Sequence, residues 1–154
     1  MSNKSKIDEK RTSFSTFFEI SPTNINKLIE QVKNKILSIT GIPAQYSEPL
    51  QGQWYMKNGF YNDHYDACDT YEQFNSHHGN RTWTCMVTLN EVEEGGETCF
   101  PTLQKSFKPK IGQALIWYNL NKNGLAHPLS LHSAQPVQKG EKFIITQWFH
   151  QCAD

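Results

Sequence analysis

The triplet His64-Tyr65-Asp66 contains two side chains that could bind a metal ion. In an extended segment alternate side chains share a face, so the imidazole of His64 and the carboxylate of Asp66 would point the same way. A neutral imidazole and a carboxylate suit divalent ions such as Fe(II), and a second, distant histidine would complete a three-ligand face on the metal. His132 is the candidate for this third ligand. The triplet alone also fits an ordinary polar strand end.

The strand-like segment at residues 142–150 adds a lysine to this set. Alternation places Lys142, Trp148 and His150 on one face and leaves a mostly apolar opposite face for the core. An unpaired ammonium in an apolar interior is costly, so a buried lysine would need an anion. A dicarboxylate cosubstrate would provide that anion if this face looks into a cavity. If the face is exposed to solvent instead, Lys142 is simply hydrated.

One amphipathic helix and about seven short strands would position these residues. Ser21 and Pro22 suit a helix start, apolar residues recur at helical spacing as far as Ile36, and Gly41 ends the pattern. A further strand is possible before the helix, at 14–20. The strands after it are predicted at 50–56, 60–66, 81–89, 98–100, 114–118, 131–137 and 142–150. This order predicts a mainly β sandwich or barrel with helical cover, in a single domain over residues 1–154.

Three polar segments lie outside these elements. Residues 1–13 are expected to form a flexible leader. Residues 67–80 and 119–128 are long loops, and loops of such length are often functional. We expect these two loops to be candidates for a lid over a substrate.

Composition and charge exclude several classes of protein. The formal net charge is zero, which gives no electrostatic reason to expect a nucleic acid or an anionic membrane as a partner. No apolar run approaches a membrane span, and the polar N-terminus lacks a signal sequence, so we expect a cytoplasmic protein. The four cysteines form no Cys-x-x-Cys pair, which disfavours a zinc finger and favours free thiols. Nothing in the sequence requires more than a monomer.

Longer motifs surround the candidate residues. The most specific are Glu-Glu-Gly-Gly-Glu-Thr-Cys-Phe-Pro and Gly-Glu-Lys-Phe-Ile-Ile-Thr-Gln-Trp-Phe-His, together with His-Tyr-Asp, Asn-Arg-Thr-Trp-Thr and Ser-Leu-His-Ser-Ala. From about residue 48 to residue 152 the sequence resembles the catalytic domain of the prolyl 4-hydroxylases, which are Fe(II)- and 2-oxoglutarate-dependent dioxygenases. The resemblance implies a double-stranded β-helix, or jelly-roll, core with helical support on its N-terminal side.

The resemblance also implies a role for each candidate residue. The implied Fe(II) ligands are His64, Asp66 and His132; the implied ligands of 2-oxoglutarate are Lys142, Tyr55 and Thr98; and the implied lining of the peptide-substrate side is Tyr61, Arg81, Trp148 and His150. Core packing is the alternative for Tyr61 and Trp148, and a surface charge at a strand start is the alternative for Arg81.

The implied activity is hydroxylation of a peptidyl proline at the 4-position, with 2-oxoglutarate and O2 consumed and succinate and CO2 released. Ascorbate is the expected reductant, and a proline-containing peptide or protein is the expected partner. A related dioxygenase that acts on another residue or on a small molecule is the first alternative. A non-enzymatic jelly-roll binding module is the second, and it predicts a missing ligand or anchor. Zinc-dependent hydrolysis at the same triad would leave Lys142 without a purpose.

Overall fold

The computed structural model describes residues 10–18, 27–70 and 78–153, and these residues form a mainly β structure. In chain order the elements are β1 Phe14–Phe18, α1 Lys27–Thr40, β2 Leu50–Tyr55, β3 Tyr61–His64, β4 Arg81–Thr88, β5 Glu94–Gly95, β6 Thr98–Phe100, β7 Lys105–Phe107, β8 Ala114–Tyr118, β9 His132–Ala134, β10 Val137–Lys139 and β11 Lys142–His150. Short 3-10 turns lie at Ala44–Tyr46 and Pro128–Ser130.

The strands form two larger antiparallel sheets and one small pair. The first sheet has the order β1-β2-β11-β4-β8, the second has the order β3-β9-β6-β7, and β10 pairs with β5. Neighbouring strands in these sheets are often far apart in the sequence, so the chain crosses repeatedly from one sheet to the other. This arrangement is the predicted jelly roll.

The outer face of the first sheet is covered by α1. Ile36 of the helix packs with Leu50, Cys85 and Phe149 of the sheet, and all four side chains are buried. The helix ends as predicted at Gly41, which has a positive φ of 69° and donates its N–H to the carbonyl of Leu37. The predicted helix start at residues 21–26 lies outside the described residues. No helix within the described ranges is long and apolar enough to span a membrane.

The inner face of the first sheet lines a cavity between the two sheets. Along β11 the side chains of Lys142 and Trp148 point into this cavity, while Ile145 and Phe149 pack toward the helix. The predicted alternation of β11 is therefore correct. Of the two environments considered for Lys142, the cavity is the one observed and the solvent is not, because only 1% of this residue is exposed.

Several strand assignments differ from the prediction. The strand β3 ends at His64 and not at Asp66, and β5 at Glu94–Gly95 was not predicted. The segment before β11 is divided into β9 and β10 around Pro136, because proline has no N–H to donate to a neighbouring strand. The Pro136 carbonyl instead accepts a hydrogen bond from Gly96. The strand β7 lies within residues 102–112, which the sequence predicts to be a polar connection.

Candidate metal and cosubstrate site

Three potential metal ligands converge at one edge of the second sheet. His64 ends β3 and lies opposite His132 on the neighbouring strand β9. Asp66 follows two residues after the end of β3, at a bend that turns its carboxylate back toward both imidazoles. The Nε2 atoms of His64 and His132 lie 3.9 and 3.8 Å from the two carboxylate oxygens of Asp66. The three ligand atoms all lie within 4.8 Å of one another.

Both imidazoles are oriented for metal binding through Nε2. The Nδ1 atom of His64 lies 2.7 Å from the carbonyl of Asn62, and that of His132 lies 2.9 Å from the carbonyl of Ser130. A carbonyl can only accept a hydrogen bond, so each Nδ1 carries a proton, and in the neutral form of each imidazole Nε2 presents the lone pair. Burial lowers the pKa of His64 to about 4, which keeps this imidazole neutral at neutral pH.

The Asp66 carboxylate is held in its ionised form. Burial alone would raise the pKa of Asp66, but the charge that either neighbouring imidazole carries when protonated, together with a hydrogen bond from Thr84, outweighs this effect and lowers the pKa. The Thr84 hydroxyl lies 2.7 Å from Oδ2 of Asp66. Two neutral imidazoles and one carboxylate are the ligand set that non-heme Fe(II) centres use, so these residues fit that metal.

Aromatic rings fix the two imidazoles from outside. Tyr61 stacks on His64 with a centroid separation of 3.6 Å and an interplanar angle of 13°. Trp117 meets His132 edge-on at 4.8 Å, and Phe100 stacks on the same imidazole at 5.6 Å. Such contacts restrict the rotation of both ligands and so prepare them for a metal.

Lys142 provides a buried cation deeper in the cavity. Its Nζ donates to the carbonyl of Gly96 at 2.7 Å and to the hydroxyl of Thr98 at 3.2 Å. Both partners are neutral, and burial lowers the pKa of Lys142 to about 8. Tyr55 lies directly across from Lys142 on β2, and the Tyr55 ring centroid is 5.5 Å from Nζ. The Tyr55 hydroxyl lies 3.2 Å from Oε1 of Gln53 and lines the same cavity. The ammonium and the Thr98 hydroxyl, with Tyr55 across from them, form a pocket that suits a carboxylate.

One cavity of about 190 Å³ connects the triad with this pocket. All but one of the residues predicted from the sequence line it: Tyr55, Tyr61, His64, Asp66, Arg81, Thr98, His132, Lys142 and Trp148. The exception is His150, which lies beside the cavity and contacts Glu48.

Glu48 organises the side of the cavity on which Arg81 and His150 lie, and we did not predict this role from the sequence. Its carboxylate accepts hydrogen bonds from Nε and Nη2 of Arg81 at 2.5 and 2.8 Å, and it lies 2.9 Å from Nε2 of His150. Burial alone would raise the pKa of Glu48, but the bonds to His150 and Arg81 hold the pKa at about 2. The guanidinium of Arg81 stacks 3.8 Å above the Trp148 ring. Arg81 is therefore part of the cavity wall and is not a free surface charge.

A second residue without a sequence signal, Arg11, reaches the cavity from the N-terminal segment. The backbone of this segment is hydrogen-bonded to the start of β3, through Thr12 to Phe60 and through Asn62 to Lys10. The Arg11 guanidinium lies 4.9 Å above the Tyr61 ring and lines the cavity. Residues 10–13 therefore contribute to the site, whereas residues 1–9 of the predicted leader lie outside the described residues.

The region that is similar to known proteins includes the metal-ligand triad and Lys142. The model of the 2OG-Fe(II) oxygenase superfamily matches residues 50–150. A candidate prolyl 4-hydroxylase from Acanthamoeba polyphaga mimivirus is 37% identical over 131 residues, covering 82% of this chain and 54% of the viral protein. Prolyl 4-hydroxylase subunit alpha-1 from Homo sapiens is 31% identical over 131 residues, covering 82% of this chain and 24% of the human subunit. The chain thus spans about half or less of the length of these two relatives.

A solved structure gives the same assignment. The crystal structure of the viral collagen prolyl hydroxylase from Paramecium bursaria Chlorella virus-1, in complex with 2-oxoglutarate, aligns with a TM-score of 0.78 and 30% sequence identity. The alignment covers 92% of this chain and 80% of the viral enzyme. The chain belongs to the 2OG-Fe(II) oxygenase superfamily and, within it, to the prolyl 4-hydroxylase-like family.

Proposed function

We propose that this chain is an Fe(II)- and 2-oxoglutarate-dependent dioxygenase that hydroxylates peptidyl proline at the 4-position and releases succinate and CO2. The observation that carries the proposal is that one cavity contains the His64, Asp66 and His132 ligands, the buried ammonium of Lys142 and the stacked pair of Arg81 and Trp148. The likeness to a viral collagen prolyl hydroxylase supports it. When bound, Fe(II) with 2-oxoglutarate and O2 supplies the oxidising chemistry.

In this proposal the inner end of the cavity binds the cosubstrate. The ammonium of Lys142 pairs with the distal carboxylate of 2-oxoglutarate, and the hydroxyls of Thr98 and Tyr55 complete the pocket. The neutral hydrogen-bond partners of the ammonium support this role, because a bound carboxylate would provide the directly paired counter-ion that Gly96 and Thr98 cannot provide. The Glu97 carboxylate favours the charged form of Lys142 electrostatically, but burial still lowers the pKa. The keto-acid end of the same molecule would then reach the triad.

The outer side of the cavity suits a proline in an extended peptide. Tyr61 and Trp148 offer aromatic surfaces to an apolar pyrrolidine ring, and Arg81 offers a guanidinium that can donate to a peptide carbonyl. A surface groove continues from this side along the second sheet. It is lined by Lys10, Arg11, Tyr61, Asn62, Asp63, His64, Tyr65, Ala67, Asp69 and Leu131. An open groove of this kind fits a chain that continues on both sides of the reacting residue better than it fits an isolated small molecule.

The test is turnover with matched peptides. Fe(II)-loaded protein is incubated with 2-oxoglutarate and a panel of proline-rich peptides, each paired with a copy in which alanine replaces proline. The proposal predicts succinate release that depends on proline, one added oxygen in the peptide mass, and 4-hydroxyproline on amino-acid analysis. His132→Ala should lose all three signals. Succinate release that no peptide increases would refute the proline assignment and favour a small-molecule or other-residue substrate.

We also propose that the protein is a monomer and that it is located in the cytoplasm. Sedimentation of the purified protein tests the monomer, and fractionation of expressing cells tests the cytoplasmic location.

A further inference from the structure

Two buried polar residues behind the metal site form a hydrogen-bonded chain that ends on Asp66. The amide Nδ2 of Asn119 lies 2.8 Å from the hydroxyl of Thr84, and that hydroxyl lies 2.7 Å from Oδ2 of Asp66. Neither Thr84 nor Asn119 has any exposed surface. Thr84 lies within β4, and Asn119 directly follows β8, the strand that pairs with β4.

The direction of each hydrogen bond in this chain follows from the chemistry of its ends. A carboxylate that binds a metal is ionised and can only accept hydrogen bonds, so the Thr84 hydroxyl, 2.7 Å from Oδ2, must donate its single proton to Asp66. The Thr84 oxygen can then only accept from Asn119, which requires the NH2 group of that amide to face it. The reversed amide would leave the Thr84 hydroxyl between two acceptors with one proton to give.

The amide oxygen of Asn119 takes no part in this hydrogen-bonded chain. Oδ1 of Asn119 is buried and has no hydrogen-bond partner among the described residues. Buried amide oxygens are nearly always paired, so an unpaired one calls for an explanation. The backbone of Asn119 is fixed on both sides, because its N–H donates to Thr82 and its carbonyl accepts from His127. The side chain is therefore held where its NH2 group serves Thr84, although its oxygen remains unpaired.

We propose that Thr84 and Asn119 are positioning residues that fix the orientation of the Asp66 carboxylate and thereby set the affinity of the site for its divalent metal. A donor on Oδ2 restrains rotation of the carboxylate about its terminal bond, so Asp66 is already aligned with the two imidazoles before the metal arrives. Outer hydrogen bonds of this kind orient metal ligands in many proteins. The inference rests on the metal site alone and does not depend on which substrate is hydroxylated.

The experiment measures metal affinity without turnover. Co(II) is titrated calorimetrically into the metal-free full chain, and its d–d absorption reports the ligand field. Thr84→Val keeps the shape and removes the donor, and it should weaken Co(II) binding by about 10- to 100-fold. Thr84→Ser restores the hydroxyl and should bind within about threefold of wild type. Asn119→Leu removes the group that orients the hydroxyl and should weaken binding by about fivefold.

The matched control is Thr88→Val, because Thr88 is also a buried threonine of β4 and does not line the cavity. It should bind Co(II) like wild type. Wild-type affinity in Thr84→Val would overturn the inference, as would equal losses in Thr84→Val and Thr88→Val. If Thr84→Val does not fold, Asn119→Leu decides, and wild-type affinity there overturns it. A wild-type protein that binds Co(II) but turns over no proline peptide would refute only the proposed substrate.

Discussion

Replacing Lys142 by methionine should stabilise the empty protein and weaken its binding of 2-oxoglutarate. Burial lowers the pKa of Lys142 from 10.5 to about 8. One pKa unit corresponds to about 1.4 kcal/mol, so keeping the ammonium charged costs the folded protein about 3 kcal/mol. At pH 7 the lysine is charged in both folded and unfolded states, and the full cost is present. Stability should therefore rise as the pH increases from about 8 to about 10.5, where the unfolded chain binds more protons.

Methionine removes this cost but also removes the hydrogen bonds to Gly96 and Thr98. The net gain should be about 1–2 kcal/mol, which raises the melting temperature of the metal-free protein by about 3–6 °C. The bound cosubstrate loses a charge-assisted contact, worth about 2–3 kcal/mol, so its dissociation constant should rise by about 30- to 150-fold. Calorimetric titration of 2-oxoglutarate and thermal unfolding measure the two effects.

Lys139→Met is the matched control for the loss of one positive charge. Lys139 is exposed and pairs with Glu93 at 2.7 Å, so its replacement should change neither measurement. The reasoning would be refuted if Lys142→Met bound 2-oxoglutarate with wild-type affinity, because the ammonium would then not contact the cosubstrate.

Three further predictions concern the cavity wall and the hydrophobic core. Glu48→Gln should raise the KM for peptide by about tenfold and leave 2-oxoglutarate affinity unchanged, since it weakens the charge-assisted hydrogen bonds to Arg81 and His150. The pKa of Glu48 is about 2 in the folded protein, so the stability that the Glu48 carboxylate adds above pH 4.5 should disappear as the pH falls toward 2 in acid-unfolding curves. Burial raises the pKa of Cys85 to about 11, so a thiol reagent should label exposed Cys152 in the native protein and Cys85 only after unfolding. Phe149→Ala should cost about 3–5 kcal/mol in urea unfolding, whereas exposed Phe14→Ala should cost under about 1 kcal/mol.

The sequence was most informative where a local period decides the geometry. The two-residue period of a strand predicts which side chains of β11 face the cavity, and it also predicts that His64 and Asp66 lie on one side of the chain. Asp66 nevertheless lies beyond the end of β3, so the bend after the strand places it. The alternation of side chains along a strand cannot show which face of the sheet is covered by another part of the protein. The burial of Lys142 therefore became clear only from the position of the second sheet.

The residues missing from the prediction depend on contacts between distant segments. Glu48 meets Arg81 from 33 positions away, and nothing near Glu48 indicates that a guanidinium and an imidazole will converge on it. Arg11 lies in a polar segment with no period of its own. Asn119 could have been suspected, because a polar residue directly after an apolar strand needs a partner if it is buried, but its partner Thr84 could not be named without the pairing of β4 and β8.

In the proposed site, one 2-oxoglutarate molecule contacts both Lys142 and the metal held by the His64, Asp66 and His132 triad. The most direct test is anaerobic addition of 2-oxoglutarate to the Fe(II)-loaded protein, monitored by visible absorption. We expect a metal-to-ligand charge-transfer band that saturates at one 2-oxoglutarate per chain, is absent in His132→Ala, and needs much more 2-oxoglutarate in Lys142→Met. If the wild-type protein bound Fe(II) but gave no such band, the metal and the buried ammonium would not form one binding site for 2-oxoglutarate.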